Sequence, residues 1–257
     1  MKILFILFFI LLANPFGVAQ QPNNLPRKAD DDVYDIQDNI LIRTRDGASI
    51  SAIVVRKKGN DQPLPTILSY TTYSQGGGGS SIGKKAVDKG YVGVVAYARG
   101  IRTNLDDFMP YEHDGNDIYD VIDWISKQSW CDGKVGMYGG SYTGFSQWST
   151  VKNLHPALKT IVPQASVMPG YDTPMENNVW NSFICLGWPT NILKNKPLAQ
   201  NLFNQWYQAG TSYRSLDSLA GQPNRIFQKW LQHPAYDDYW KSLVPVRKDT
   251  PASIFPS

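Results

Sequence analysis

The sequence has 257 residues, of which 42% are hydrophobic and 18% are charged, and its formal net charge is +3. This composition is typical of a globular protein long enough for one sizeable core, or for a core with a smaller second domain. The positive charge is small and dispersed, and Lys and Arg do not cluster with aromatic residues. We therefore expect no nucleic-acid partner.

The N-terminal residues have the pattern of a targeting segment. Lys2 precedes an almost wholly apolar run over residues 3–13, which residues 14–16 interrupt, and small residues follow as far as Ala19. This pattern predicts a secretory signal peptide over residues 1–19, and hence a secreted or periplasmic protein. An uncleaved anchor helix is the alternative, although the run is short for a membrane span. No later stretch is apolar for long enough to cross a membrane, so we expect no span after cleavage.

Short apolar stretches alternate with helix-compatible stretches along residues 37–165, after a polar leader over residues 20–36 that we predict to be flexible. Between the first two apolar stretches, Asp46-Gly47 is a hairpin turn signal. The predicted strands cover residues 39–44, 49–56, 65–70, 91–97, 135–138 and 158–163. The predicted helices cover residues 82–89, 112–128 and 145–151. This order predicts an α/β protein with a mostly parallel sheet and an antiparallel hairpin at its N-terminal end.

The sequence changes character at about residue 166. Five of the eight tryptophans lie beyond this point: Trp180, Trp188, Trp206, Trp230 and Trp240. Helices are predicted over residues 195–208 and 224–232, and no clear strand is present. We interpret residues 166–242 as a helical cap and leave residues 243–257 unassigned. The aromatic residues either form the core of the cap itself or line a pocket.

The sequence contains two cysteines, Cys131 and Cys185. An oxidising compartment would permit a disulfide between them, and two buried free thiols are the alternative. Neither cysteine has a second ligand at the spacing of a metal site. We therefore expect neither a metal nor another cofactor.

Ser141 follows Gly139 and Gly140, between the predicted strand over residues 135–138 and a predicted helix. A serine at a tight strand-to-helix turn is the layout of a nucleophile elbow, in which glycines allow the strand and the helix to approach closely. The later glycine of the motif falls one place further on than usual, at Gly144. A glycine turn with a serine helix cap is the alternative. The alternating α/β context favours the elbow.

Several stretches of the sequence share the pattern of one family. They are Arg45-Asp46-Gly47, Thr71-Thr72-Tyr73, Arg99-Gly100, Tyr119-Asp120 with Trp124 and Trp130, and then residues 133–137, 139–144 and 233–240. Together, over residues 36–242, they resemble the peptidase S15 group of X-Pro dipeptidyl-peptidase-like hydrolases, also called CocE/NonD hydrolases. The resemblance implies an α/β-hydrolase fold with a helical cap. It also implies a serine hydrolase that cleaves a small ester, an amide or a short peptide through an acyl-enzyme.

The resemblance implies roles for five positions. Ser141 matches the nucleophile, the backbone N–H of Tyr142 matches one oxyanion donor, and the phenol of Tyr73 matches the second donor. Family members that take α-amino acyl groups need carboxylates near the ammonium, and Asp172 and Glu176 are the candidates. The alternatives are a surface aromatic for Tyr73 and a solvated loop for the two acidic residues.

A serine nucleophile needs a base and an orienting carboxylate, and both follow the serine in this fold. His113 precedes Ser141, His155 lies just past the elbow helix, and His233 belongs to the cap motif, so we expect none of them to be the base. We therefore predict a truncated serine hydrolase with an incomplete sheet and little or no turnover on its own. The alternative is a non-catalytic secreted binding protein or a pseudoenzyme. The sequence does not indicate the oligomeric state.

Overall fold

A computed structural model describes residues 30–74 and 78–245. The predicted signal peptide, residues 20–29 of the predicted leader, residues 75–77 and the tail from residue 246 lie outside the described residues. Six strands of the described chain form one sheet. They are β1 (Tyr34–Arg43), β2 (Ser49–Lys57), β3 (Leu64–Thr71), β4 (Val92–Tyr97), β5 (Cys131–Gly140) and β6 (Leu158–Gln164).

The sheet has the strand order β1-β2-β4-β3-β5-β6. Strand β2 is antiparallel to β1 and to β4, whereas β4, β3, β5 and β6 run parallel to one another. The predicted mostly parallel sheet with an antiparallel N-terminal hairpin is therefore confirmed. Every residue of β4 is buried, as expected for an uncharged strand covered on both faces. Strands β1 and β6 are the two edges of the described sheet.

Strand β1 begins earlier than the sequence predicts. Its pairing with β2 shifts register between Gln37 and Ile40, and Asn39 between them has a φ of 55°. This bulge interrupts the alternation of apolar and polar side chains by which a strand is recognised. The prediction of a flexible leader is therefore wrong from Asp30 onward, because the four-residue helix α1 (Asp30–Val33) leads directly into the strand at Tyr34.

Three longer helices flank the sheet: α2 (Gly78–Val87), α3 (Asp114–Ser126) and α4 (Tyr142–Ser149). Helix α3, predicted over residues 112–128, buries one apolar face, whose members are Ile118, Val121, Ile122 and Ile125. Helix α4 begins directly after Ser141, which is earlier than predicted. It packs against β3, β5 and β6 and so supports the carboxyl end of the parallel strands.

After β6 the described chain consists of short helices and one small hairpin. The hairpin pairs β7 (Met175–Glu176) with β8 (Val179–Trp180), so the prediction that this region lacks strands is wrong. A π-helical turn over Phe183–Gly187 comes next. The helices are α5 (Trp188–Ile192), α6 (Leu202–Ala209), α7 (Leu216–Leu219), α8 (Arg225–Trp230) and α9 (Asp238–Leu243).

Two of these helices were predicted with different bounds. The helix predicted over residues 195–208 forms only as α6, which begins at Leu202 and ends at Ala209. Helix α8 lies within the range predicted from residue 224. Asn224 caps the start of the helix, because its side-chain oxygen accepts hydrogen bonds from the N–H groups of Ile226 and Phe227, at 3.1 Å each.

Trp230 and Trp240 are fully buried, so these two tryptophans belong to the core of the cap. Within residues 30–74 and 78–245, side-chain hydrogen bonds join the cap to the sheet-and-helix core. They are Tyr239 Oη to Glu112 Oε1 at 2.9 Å, Arg225 Nη2 to the Leu105 carbonyl at 2.5 Å, and Lys152 Nζ to the Ser242 carbonyl at 2.5 Å. The cap therefore rests on the core through directional contacts as well as through apolar packing.

Cys131 lies on β5 and Cys185 lies in the cap, and both are buried free thiols. The sequence left open either a disulfide or two free thiols, and the structure has two free thiols. Among the described residues, no helix combines the length and the apolar character that a membrane crossing requires.

Candidate functional site

Ser141 occupies the turn between β5 and α4 with a φ of 58° and a ψ of −126°. A non-glycine residue at positive φ is strained, and such strain persists only where the surroundings hold it. Two backbone hydrogen bonds hold this turn: the Ser141 N–H donates to the Gln164 carbonyl at 3.0 Å, and the Phe145 N–H donates to the Ser141 carbonyl at 3.0 Å. Ser141 is exposed at this turn, where a ligand can reach it. The strand, tight turn and helix predicted around Ser141 are all present.

Two glycines allow the chain to pass through this turn. A Cβ added to Gly139, which has a φ of 149°, would lie 2.4 Å from Cγ2 of Thr143. A Cβ added to Gly144 would lie 2.8 Å from the carbonyl oxygen of Gln164. Helix α4 therefore approaches both its own preceding strand and the end of β6 too closely for side chains at these positions.

The carboxamide of Gln147 joins three segments around the turn. Its Nε2 donates to the carbonyl oxygens of Gly139 at 3.0 Å and Thr143 at 2.9 Å, and its Oε1 accepts from the N–H of Val162 at 2.8 Å. Gln147 is fully buried. One side chain thus connects the strand before Ser141, the helix after it and the neighbouring strand β6.

Tyr73 reaches the same edge of the sheet as Ser141. Leu68 of β3 pairs with Met137 of β5, and each strand ends three residues further on. Neighbouring strands lie about 4.8 Å apart, so the segments that follow β3 and β5 emerge side by side. Tyr73 is 45% exposed, which leaves its phenol free to meet a ligand. The predicted nucleophile and the predicted side-chain donor therefore follow neighbouring parallel strands at the same edge of the sheet.

Tyr142 is the first residue of α4, where a backbone N–H has no partner within the helix. Its side chain is buried, and its Oη donates to Oδ2 of Asp114 at 2.7 Å. The N–H of Tyr111, a residue with a φ of 73°, donates in turn to the same Oη at 3.2 Å. The amide proposed as an oxyanion donor therefore belongs to a residue whose side chain is fixed at both hydrogen-bonding positions.

Burial raises the pKa of the Asp114 carboxyl to about 7, although the hydrogen bond from the Tyr142 phenol opposes this effect. One turn along α3, burial also raises the pKa of Asp117, and the guanidinium of Arg99 acts in the opposite direction. Arg99 Nη2 lies 2.5 Å from Oδ1 of Asp117. Two buried carboxyls thus lie beneath the site, one paired with a cation and the other with a phenol.

A stack of aromatic rings connects the site to the cap. The ring of Tyr142 stacks on Tyr111 at a centroid distance of 5.2 Å and on Trp188 at 5.9 Å. Trp188 stacks in turn on Trp230 at 6.3 Å. The rings are nearly parallel, with interplanar angles between 14° and 24° in these three pairs. The cap is therefore packed directly against the residue that follows the candidate nucleophile.

Two cavities open near Tyr73. One of about 140 Å³ is lined by Thr72, Tyr73, Ser74, Asn191 and Ile192. The second, of about 430 Å³, lies on the cap side, and Asn191 lines both. The larger cavity has no charged side chain among its lining residues, and the aromatic rings of Phe183 and Phe203 stand at its rim. The larger cavity therefore suits an uncharged, apolar group, and it is joined to the cavity beside Tyr73 only by Asn191 in their shared lining.

Asp172 lies in the loop that follows β6 and Glu176 is the last residue of β7, and both are exposed. Oδ1 of Asp172 accepts a hydrogen bond from the N–H of Met168 at 2.7 Å, which fixes its turn. Burial raises the pKa of the Tyr111 phenol, and the charges of Tyr73 and Asp172 raise it further. Asp172 is thus an exposed carboxylate held in its turn by its own hydrogen bond.

None of the three histidines contacts Ser141 in the described chain. His113 is the residue before α3. The Nε2 of His155 lies 3.6 Å from Asp123. Nδ1 of His233 lies 2.7 Å from Oδ2 of Asp237, and its ring stacks on Tyr239 at 4.1 Å. The absence of a base among the three histidines therefore stays a prediction.

The sequence interpretation missed Asp114, Tyr111 and Gln147. A signal was available for Asp114, because it lies four residues before Ile118 and therefore on the apolar face of α3. An acidic residue on such a face needs a buried partner. Gln147 likewise lies among buried residues of α4. Nothing in the local sequence singles out Tyr111.

Comparisons with known proteins give a consistent result. The sequence pattern of the X-Pro dipeptidyl-peptidase (S15) family matches residues 46–254. Cocaine esterase of Rhodococcus sp. (strain MB1 Bresler) is 27% identical over 236 residues, which cover 82% of this chain and 41% of the esterase. The chain thus spans less than half the length of this curated relative.

Two solved structures share the fold. An α-amino acid ester hydrolase matches with a TM-score of 0.72 and 23% identity, over 94% of this chain and 45% of that chain. An aminopeptidase from a marine sediment Thaumarchaeota archaeon matches with a TM-score of 0.70 and 21% identity, over 90% and 43%. These neighbours confirm the predicted α/β-hydrolase fold. Because the family pattern covers most of its length, the chain belongs to the X-Pro dipeptidyl-peptidase (S15) family of hydrolases.

Proposed function

We propose that this chain carries the nucleophile part of a serine hydrolase that cleaves an ester or amide bond through an acyl-enzyme on Ser141. The observation that carries the proposal is the strained, exposed serine at the strand-to-helix turn, with a φ of 58°. Strain at one exposed nucleophilic side chain is characteristic of a nucleophile elbow. Membership of a hydrolase family supports the same reaction class.

In the proposed reaction, Oγ of Ser141 attacks the acyl carbon of the substrate while a base takes its proton. The resulting oxyanion accepts hydrogen bonds from the N–H of Tyr142 and from the phenol of Tyr73. The alcohol or amine then leaves with a proton, and water releases the acyl group from the serine. Two donors that approach from one side stabilise the charge that develops only in the transition state.

We infer that the chain on its own turns substrate over slowly. Within the described residues His155 lies beside Asp123 and His233 beside Asp237, and a serine without a base is a poor nucleophile. Loss of triad members leaves only the residual catalysis that the oxyanion donors and binding provide. The base and its carboxylate would be supplied by residues outside the described chain.

We propose small esters, amides or short peptides as the substrates. The uncharged cavity beside Tyr73 supports an apolar group on one side of the scissile bond. Asp172 and Glu176 would bind the ammonium of an α-amino acyl substrate, and the exposed position of both carboxylates supports this role. An N-acetylated ester compared with its free-amine counterpart, in the wild type and in Asp172→Asn, tests this assignment.

Labelling with a fluorophosphonate tests the nucleophile directly, because the probe forms a covalent bond with an activated serine and needs no turnover. The wild type is compared with Ser141→Ala and with Ser218→Ala, which alters an exposed serine of the cap. We expect slow but detectable labelling of the wild type and of Ser218→Ala, since the oxyanion donors remain although no histidine of the described chain contacts Ser141, and no labelling of Ser141→Ala. Equal labelling of the wild type and Ser141→Ala would rule out a reactive Ser141 in this chain.

A non-catalytic binding protein is the second candidate. The exposed aromatic rings of Phe183 and Phe203 around the large cavity favour it. A chain of this kind would leave Ser141 unlabelled and would still bind an uncharged aromatic amide. Quenching of tryptophan emission by such an amide, lost in Phe203→Ala, distinguishes this candidate from a disabled hydrolase.

We also propose that the protein is exported, on the strength of the apolar run and small residues before Ala19. Expression of the full chain in a bacterial host followed by mass spectrometry of the mature N-terminus tests this proposal. We expect the mature chain to begin at Gln20. An intact N-terminus in the membrane fraction would favour the anchor helix instead.

A further inference from the structure

The carboxyl of Asp114 lies at the start of α3 and has little access to solvent, with 3% of the residue exposed. It accepts a hydrogen bond from Oη of Tyr142 at 2.7 Å, and Oη accepts a hydrogen bond from the N–H of Tyr111 at 3.2 Å. These contacts form a continuous buried chain from the backbone of Tyr111 to the carboxyl of Asp114.

The middle member of this chain is the residue directly after Ser141. Its ring is confined between Tyr111 and Trp188, with centroid distances of 5.2 Å and 5.9 Å. Its backbone N–H is the first of α4 and points away from the helix, toward the turn that Ser141 occupies. Because the Tyr142 side chain is held on both ring faces and at its hydroxyl, the position of the Tyr142 backbone N–H is restricted as well.

We propose that Asp114 is a positioning residue of the oxyanion site, which orients the backbone N–H of Tyr142 by accepting the hydrogen bond of the Tyr142 phenol. This inference rests on the proposed function, since it assigns that amide to the stabilisation of an oxyanion. It further implies that a change of charge at the Asp114 carboxyl changes the position of the Tyr142 backbone N–H.

The groups that face Asp114 determine when its charge changes. Asp117 lies on the same helix, and Arg99 neutralises its charge. The other groups are the phenols of Tyr142 and Tyr70, the ammonium of Lys152, and the imidazole of His113, which precedes Asp114 in the sequence. Burial raises the pKa of Asp114 to about 7. An ionised carboxylate accepts a shorter and stronger hydrogen bond than the neutral acid. The Tyr142 phenol is therefore held more firmly above neutral pH than below it.

Nuclear magnetic resonance of the ¹⁵N-labelled full chain tests this coupling without requiring catalysis. We expect the backbone amide signals of Tyr142 and Tyr111 to shift between pH 4.5 and 9 with a common midpoint near pH 7. Asp114→Asn, which still accepts the hydrogen bond, should abolish the shift. His113→Gln should retain it, which excludes titration of the adjacent imidazole. A Tyr142 amide that does not move, or that moves equally in Asp114→Asn, would overturn the inference.

The rate of fluorophosphonate labelling of Ser141 supplies the functional readout. Displacement of an oxyanion donor costs about 10- to 100-fold in rate. We expect Asp114→Leu to lose at least about tenfold at pH 8, and we expect the isosteric Asp114→Asn to stay within about threefold of the wild type. Equal rates in the wild type and Asp114→Leu, with both folded, would overturn the inference. If the wild type takes no label, the proposed function of this chain fails, while the amide titration still decides the positioning role.

Discussion

The side-chain amide of Gln147 donates a 3.0 Å hydrogen bond to the carbonyl of Gly139, two residues before Ser141. The strained turn is therefore held from inside the molecule by a polar group that has no access to solvent. A buried carboxamide with every contact satisfied stabilises a unique local geometry, whereas a partly satisfied one is costly.

Gln147→Leu should destabilise the protein by about 2 to 4 kcal/mol, because it leaves buried backbone groups without partners. Urea unfolding followed by circular dichroism measures this change. Gln232→Leu is the control, since Gln232 is exposed, and it should change the free energy of unfolding by less than about 0.5 kcal/mol. Similar stabilities of Gln147→Leu and the wild type would show that these contacts do not hold the turn.

Asp114 should make stability depend on pH in the direction opposite to that of an ordinary paired carboxylate. Its pKa in the folded protein is about 7, above the ordinary value of 3.8, so the folded protein keeps a proton that the unfolded chain releases. This stabilisation is complete below pH 3.8 and is lost as the pH rises to about 7. A difference of about three pKa units between the folded and unfolded states corresponds to about 4 kcal/mol in the free energy of unfolding.

Asp114→Asn removes this titration and should therefore gain stability relative to the wild type as the pH rises from 4.5 to 8. Urea unfolding of both proteins across this range measures the difference. Asp46→Asn is the contrasting variant, because hydrogen bonds from Thr44 and then Arg99 lower the pKa of Asp46 to about 2. Asp46 contributes stability above pH 3.8 that is lost as the pH falls toward 2. A difference between Asp114→Asn and the wild type that does not change with pH would contradict the raised pKa.

Tyr73→Phe should slow the reaction of Ser141 with a fluorophosphonate by about 100-fold, because it removes one of two donors to the oxyanion. The fold should be unaffected, since the exposed phenol is not part of the core. Tyr207→Phe, at an exposed position of α6, is the matched control and should react at the wild-type rate. An unchanged rate in Tyr73→Phe would remove Tyr73 from the site.

The two cysteines should be unreactive in the native protein. Burial raises the pKa of the Cys185 thiol to about 12, so the reactive thiolate is scarce at neutral pH. Alkylation with iodoacetamide followed by mass spectrometry should modify neither Cys131 nor Cys185 before unfolding, and both in urea. A mass two hydrogens lower without reductant would reveal a disulfide and contradict the free thiols.

The sequence predicted the architecture of the core well because the signals there are local. Uncharged strands such as β4 and the regular apolar face of α3 each reveal their burial within a few residues. The turn at Ser141 was predictable for a similar reason, since a glycine pair followed by a serine between a strand and a helix is a local pattern of a strand-to-helix turn. The family resemblance added the roles of Tyr73 and Tyr142.

The parts that escaped prediction depend on distant contacts. The bulge at Asn39 is defined only by its pairing with β2. The hydrogen bond between Asp114 and Tyr142 joins residues 28 positions apart, so the sequence around one residue does not indicate the other. Buried polar pairs of this kind become visible only when the chain is folded.

The nearly parallel rings of Tyr142, Trp188 and Trp230 have an optical consequence. Rings fixed in a chiral stack couple their electronic transitions, and light absorbed by the tyrosine can pass to the adjacent indole. The protein therefore contains its own spectroscopic reporter, in which the near-ultraviolet circular dichroism and the Trp188 emission follow how closely the cap sits over the candidate nucleophile. A ligand that separates the cap from Tyr142 should therefore reduce the near-ultraviolet circular dichroism that arises from the stacked rings.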